Sequence, residues 1–128
     1  MSTLRLDTIQ DQAGNNASTP DEIYSGRAKA WVNFDGTFGT SPFTIANGGI
    51  RAAFNVSSVT DLSTGSYEVN FTNPLPDSNF VTGVEVGSLN RITWNATGNN
   101  TTTKADIRTT DTTPVYTDTA DIHVTIFR

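Results

Sequence analysis

Apolar residues recur at every second position in short runs of this chain, and that period decides what it can fold into. Tyr67, Val69 and Phe71 alternate with Glu68, Asn70 and Thr72. Near the C-terminus Ile122, Val124 and Ile126 alternate with Asp121, His123, Thr125 and Phe127. Successive side chains of a strand point to opposite faces, so such runs read as half-buried strands. Ala28, Ala30, Val32 and Phe34 alternate with Lys29, Trp31 and Asn33. Trp31 therefore faces away from the aliphatic set, which implies that both faces of its strand are partly covered. No window carries a helical stripe.

A hairpin is expected from Ile50–Val59 and Ser66–Thr72, with Ala52, Phe54 and Val56 set against Tyr67, Val69 and Phe71. Asp61–Gly65 supplies its turn, Gly65 being free to adopt positive φ. Pro74 and Pro76 end it, because proline cannot donate to a ladder. Further strands are predicted at Phe80–Val86, Arg91–Asn95, Lys104–Thr109 and Ala120–Phe127. Short strands separated by turn formers make the expected fold all-β, an antiparallel β-sandwich or partly closed barrel. Trp31 is expected to be structural; if buried, its truncation would cost about 3–5 kcal/mol.

The 128 residues fit one domain. Leu4, Leu6 and Ile9 have no place in its strand pattern, and the turn-forming stretch Asp11–Pro20 follows them. Residues 1–20 are thus expected to be an extended N-terminal attachment arm and linker, and residues 21–128 the β-sandwich domain. Leu4, Leu6 and Ile9 are the candidates for docking, by adding a strand to a partner's sheet edge.

Composition narrows the function. Only 35% of residues are apolar, a thin core that suits a subunit of a larger assembly. The net charge is -5 and the 8 basic residues are scattered, so neither nucleic acid nor an anionic membrane surface is expected as a partner. With no cysteine there is no disulfide, thiol catalysis or Cys-type zinc site. Met1–Leu6 lacks the apolar stretch of a signal peptide, and no segment has the length of a transmembrane helix. Synthesis in a cytoplasm is expected. Asn-x-Ser/Thr triplets at Asn16, Asn55, Asn70, Asn95, Asn99 and Asn100 are read as chance matches in an Asn- and Thr-rich chain.

No phosphate loop, nucleophile elbow or Cys/His cluster is present. A serine triad would have to use His123, the only histidine, with no serine on a strand-to-helix turn. Glu22, Glu68 and Glu85 are the only glutamates available for glycoside hydrolysis, and they read as solvated strand or surface charges. No enzyme activity and no cofactor are expected. Asp121 and His123 share a strand face, and three copies meeting near an axis could hold a metal; solvation or hydrogen bonding is the plainer account. Trp94 and Tyr116 flank the polar stretches Asn95–Thr103 and Thr109–Thr119. Their rings could stack on sugars while Asn95, Asn99 and Asn100 read hydroxyls, the alternative being packing in the sheet or at a subunit contact.

Two blocks carry a resemblance. Gly26–Gly36 and Ile50–Asp61, with the continuation Gly65–Phe71, resemble segments of small tail-fibre proteins of marine and cyanobacterial phages. The arm Ser2–Gln10 and the final strand Val124–Arg128 are similar to that family's ends. The loop Thr37–Gly49 is longer than the family's turn, and Gly83–Thr119 matches only in outline, at Thr102–Thr109. The resemblance implies a virion protein, assembled in the host cytoplasm and acting as a homotrimer. Its partners would be itself, other tail or capsid proteins, and a host surface glycan or protein. The reading is a short tail fibre or adhesin whose arm docks to the particle and whose β domain contacts the host. The alternative is a capsid decoration (cement) protein, and the least favoured a glycan-cleaving tailspike.

Overall fold

The computed structural model describes residues 2–15 and 17–128; Met1 and Asn16, the first residue of one Asn-x-Ser triplet, lie outside them. Eight strands form two antiparallel sheets: β1 (Ala30–Phe34), β2 (Ile50–Phe54), β3 (Val56–Ser63), β4 (Ser66–Phe71), β5 (Val81–Val86), β6 (Arg91–Asn95), β7 (Lys104–Asp111) and β8 (Ile122–Phe127). One sheet has the order β2-β1-β8-β5 and the other β3-β4-β7-β6. The all-β sandwich follows from the alternation: the apolar positions of each strand meet between the layers. Ala30, Val32, Phe34, Ile122, Val124 and Ile126 come from the first sheet, and Val59, Tyr67, Val69, Ala105 and Ile107 from the second. Phe34 packs edge-on against Tyr67, ring centroids 5.3 Å apart.

The expected hairpin is corrected. Ile50–Val59 is not one strand; Asn55 breaks it with φ 54. Ala52 and Phe54 pair with Asn33 and Trp31 in the first sheet, while Val56 and Val59 pair with Phe71 and Val69 in the second. A left-handed residue turns the chain from one layer to the other, and asparagine tolerates that conformation better than most side chains. The turn itself is as expected, with Gly65 at φ 64.

Trp31 faces away from the aliphatic set, as the alternation implies. It lies on the outer surface of the first sheet, 38% exposed, with Phe54 beside it at 54%. Neither residue is in the core.

A helix was not expected, yet α1 spans Pro20–Gly26. Its cause is local. Thr19 Oγ1 accepts from the Glu22 amide at 3.2 Å, and Glu22 accepts from the Thr19 amide at 2.7 Å. This reciprocal cap, proline at the first position and acidic residues in the first turn favour helix without any buried face. Before it, Ile9 and Ser18 exchange backbone hydrogen bonds of 2.8 Å, so the segment turns back on itself. Among the described residues before Lys29 none is buried.

The sheet margins are closed in different ways. Phe43, from the long loop after β1, exchanges backbone bonds with Val59 on the margin of β3. Thr93 Oγ1 of β6 donates to the Val84 carbonyl of β5 at 2.9 Å, joining the layers. The short strand β2 carries an irregularity in its register with β1 near Asn33 and Phe34, at Arg51.

Candidate functional site

The two outer faces differ in chemistry. On the first sheet, Phe54, Trp31, Thr125 and Gly83 lie in one cross-strand row, and Val81 pairs with Phe127 in the next. Four large apolar side chains, Trp31, Phe54, Val81 and Phe127, are exposed there. Alternation placed Trp31 and Phe127 on this face from sequence, but the misplaced strand break hid Phe54.

Across β4 and β7 the outer face of the second sheet is polar. Glu68 pairs with Lys104, and Asn70 donates to Ser58 and Thr60. Asp106 is only 3% exposed although it points outward. A buried carboxylate needs partners. Arg108 provides an ion pair and a bond of 2.9 Å, Asn99 another of 2.9 Å. Arg108 and Asp106 were not singled out from sequence; a charged pair two residues apart on one strand face was the available signal.

Asn95 and Asn100 hydrogen-bond each other reciprocally, at 3.1 and 2.7 Å. Asn95 also donates to the Asp106 carbonyl, and Asn100 accepts from the Asp106 amide. These two asparagines hold the turn after β6, a single 3-10 turn at Thr97–Asn99, against β7. Asn99 is exposed at its edge.

Trp94 and Tyr116 are brought together. Trp94 stands on β6 opposite Arg108, and its ring lies 6.1 Å from that of Tyr116, tilted by 44°. Both are open to solvent, at 38% and 50%. Tyr116 is positioned by the loop after β7. Asp111 accepts from the Thr113 amide and hydroxyl, both at 2.8 Å, and from the Val115 amide at 3.0 Å. Hydrogen bonds from Val115 and Thr113 hold the Asp111 carboxyl below its ordinary pKa.

Asp121 and His123 also meet, at 3.0 Å. Arg51 lies 3.2 Å from the same Asp121 oxygen and 2.9 Å from Asn33 Oδ1. A guanidinium on the carboxylate opposes a cation there, and among the described residues no group of three metal-ligating side chains converges. Glu22 is engaged in the helix cap, Glu68 binds Lys104, and Glu85 lies opposite His123 on the first sheet. The three glutamates thus stand on separate elements.

Leu4, Leu6 and Ile9 remain exposed. With Pro20, Ile23 and Tyr24 they line a groove of about 510 Å3. Tyr24 ties α1 to the sandwich: the Lys29 ammonium sits 3.6 Å from its ring centroid and donates to its carbonyl. Burial, then the Arg27 charge, lowers the Lys29 pKa. Among the described residues no helix is long and apolar enough to cross a membrane. Comparison of the chain with protein-family models, curated proteins and solved structures finds no match.

Proposed function

We propose that this chain is a non-enzymatic structural protein of a bacteriophage particle, a short tail-fibre or adhesin-like subunit that works as a homotrimer. The observation that carries this reading is the contrast between its two outer faces. One sheet exposes Trp31, Phe54, Val81 and Phe127 across all four of its strands, whereas on the other paired charges and amides cover β4 and β7 and the exposed apolar residues Ile92, Trp94, Val115 and Tyr116 are confined to the β6 margin. Clustered apolar side chains on an otherwise polar surface suit a contact between subunits. The polar face, with Trp94 and Tyr116, is left for the host surface. The exposed Leu4, Leu6 and Ile9 offer a docking segment for the particle. The resemblance of Gly26–Gly36, Ile50–Asp61 and Gly65–Phe71 to phage tail-fibre segments supplies the virion context, and those blocks hold β1, β2, β4 and most of β3.

Two measurements test the proposal. Sedimentation of the full chain at micromolar concentration is expected to give a trimer that Trp31→Glu converts to monomer. A folded wild-type monomer would count against it. Immunogold labelling of intact particles is expected to mark the tail; label on the head would favour a decoration role instead.

A further inference from the structure

We propose that Trp94 and Tyr116 form a preorganised platform for neutral sugar residues of a host surface polysaccharide. This deepens the reading of the chain as a host-contacting virion protein and rests on it. The platform is the apolar exception on a polar face. Ile92, Trp94, Val115 and Tyr116 are all exposed at the β6 margin, while the outward positions of β4 and β7 carry Ser66, Glu68, Asn70, Lys104, Asp106 and Arg108. Apolar side chains gain nothing from solvent, so this island is best explained by something that covers it.

The geometry is fixed before any ligand arrives. Asp111 gathers the Thr113 and Val115 amides, Asp111 N donates to the Val115 carbonyl at 2.9 Å, and Thr110 bridges to Tyr116 across the loop. Tyr116 is thereby held at an open angle to Trp94 without paying ordering entropy on binding. Aromatic rings with few rotatable bonds and adjacent planar donors match a pyranose, which has an apolar C–H face and a rim of hydroxyls. Arg108, opposite Trp94, is oriented by Asp106, to which its Nη1 and Nη2 are committed. Asn99 is held on the same Asp106 carboxylate.

Charge selects among flat ligands. Nucleobases also stack on aromatic rings, but their phosphates need unpaired cations. Here Arg108 is ion-paired with Asp106, Lys104 with Glu68, and Arg91 stands across from Asp111, so each of these cations already faces a carboxylate. Uronic acids and sialic acids likewise find their counter-charges already taken. A neutral hexose polymer needs none.

The test is calorimetric titration of the full chain with maltohexaose, cellohexaose and mannohexaose, alongside an oligogalacturonate and oligo-dT. Saturable binding of at least one neutral hexasaccharide is expected. Trp94→Ala and Tyr116→Ala are expected to weaken it by about tenfold or more, the factor carried by losing one stacked contact. Tyr116→Phe should stay within about threefold of wild type, since the ring rather than the hydroxyl does the stacking. Asp111→Ala, which frees the loop but leaves both rings, should fall between. Circular dichroism of each variant separates lost binding from lost fold. No binding of any neutral probe at about 10 mM, affinity unchanged in a folded Trp94→Ala, or tighter binding of oligogalacturonate or oligo-dT would each overturn the proposal. Immunogold labelling is independent of these titrations. Labelled particles without sugar binding remove the platform alone, and unlabelled particles remove the virion reading instead.

Discussion

Asn55 donates through its side-chain amide to the carbonyl of Lys29 at 3.1 Å, fastening the corner between the two sheets to the start of β1. The same side chain donates to the Asn73 carbonyl and accepts from the Asn73 amide at 2.8 Å, so it also fastens the end of β4. Asn55→Ala is expected to cost about 2–3 kcal/mol, combining lost hydrogen bonds with left-handed strain. Asn55→Gly should cost less, because glycine keeps the φ while losing the same bonds. Urea denaturation of both variants gives the order; a glycine variant less stable than the alanine variant would refute this account.

Gly65 and Gly36 sit where the opposite end of the sandwich is drawn tight. Tyr67 Oη shares its one proton between the Gly36 carbonyl at 3.0 Å and Asp118 at 2.8 Å, and Asp118 accepts from the Gly65 amide at 2.7 Å. A Cβ on Gly65 would meet the Thr109 carbonyl and the Thr117 amide, and one on Gly36 would meet the Thr119 carbonyl at 2.7 Å. Backbone atoms cannot step aside as side chains can. Gly65→Ala, strained also by its positive φ, should destabilise by at least about 2 kcal/mol. Tyr67→Phe should cost about 1–2 kcal/mol by leaving Asp118 with one partner fewer. Thermal melts check both.

Trp31→Ala should cost well under the 3–5 kcal/mol of a buried tryptophan, because the ring lies on an outer face. Its expected effect is on association: a monomeric, folded protein by sedimentation, with a denaturation midpoint that no longer depends on concentration.

Acid should loosen the loop that carries Tyr116. The Asp111 pKa is lowered in the folded protein, so its contribution is complete above the ordinary carboxylate value of 3.8. It is lost as pH falls through the lower folded value. Tryptophan emission should therefore be steady from pH 7 to about pH 5 and change below about pH 4. Asp111→Ala should show the altered emission already at pH 7. A wild-type transition near pH 6 would contradict this.

Truncation of the arm is best made before Ser18. Removing residues 1–20 also removes Thr19, whose cap starts α1. A chain beginning at Ser18 should melt within a few degrees of full length, since no described residue before Lys29 is buried. It should also be missing from assembled particles. Unfolding on truncation would show that the arm belongs to the domain.

Strand identity was legible where one apolar residue per pair faced the core, as in Tyr67–Phe71 and Ile122–Ile126. Asn55 was not legible as a break, because Phe54 and Val56 continue the alternation across it although Phe54 faces outward from the first sheet and Val56 inward from the second. The helix was missed through attention to its apolar face; Thr19, Pro20 and Glu22 spelled its cap instead. Trp94 and Tyr116 could be named from their polar surroundings. Their contact depends on a loop closure through Asp111 that no period reveals. Asn95 and Asn100, chosen as hydroxyl readers, are consumed by each other and by Asp106, a carboxylate whose burial is visible only in three dimensions.

The treatment of the sheet margins limits how copies can add to one another. Phe43 occupies the flank of β3, Thr93 stitches β6 to β5, and Arg51 interrupts the short β2. Bulged, charged or occupied flanks are poor templates for ladder extension. Copies that meet are thereby steered to contacts through their faces rather than their edges. The edges of this strand-rich chain thus offer little on which an open-ended ladder could grow.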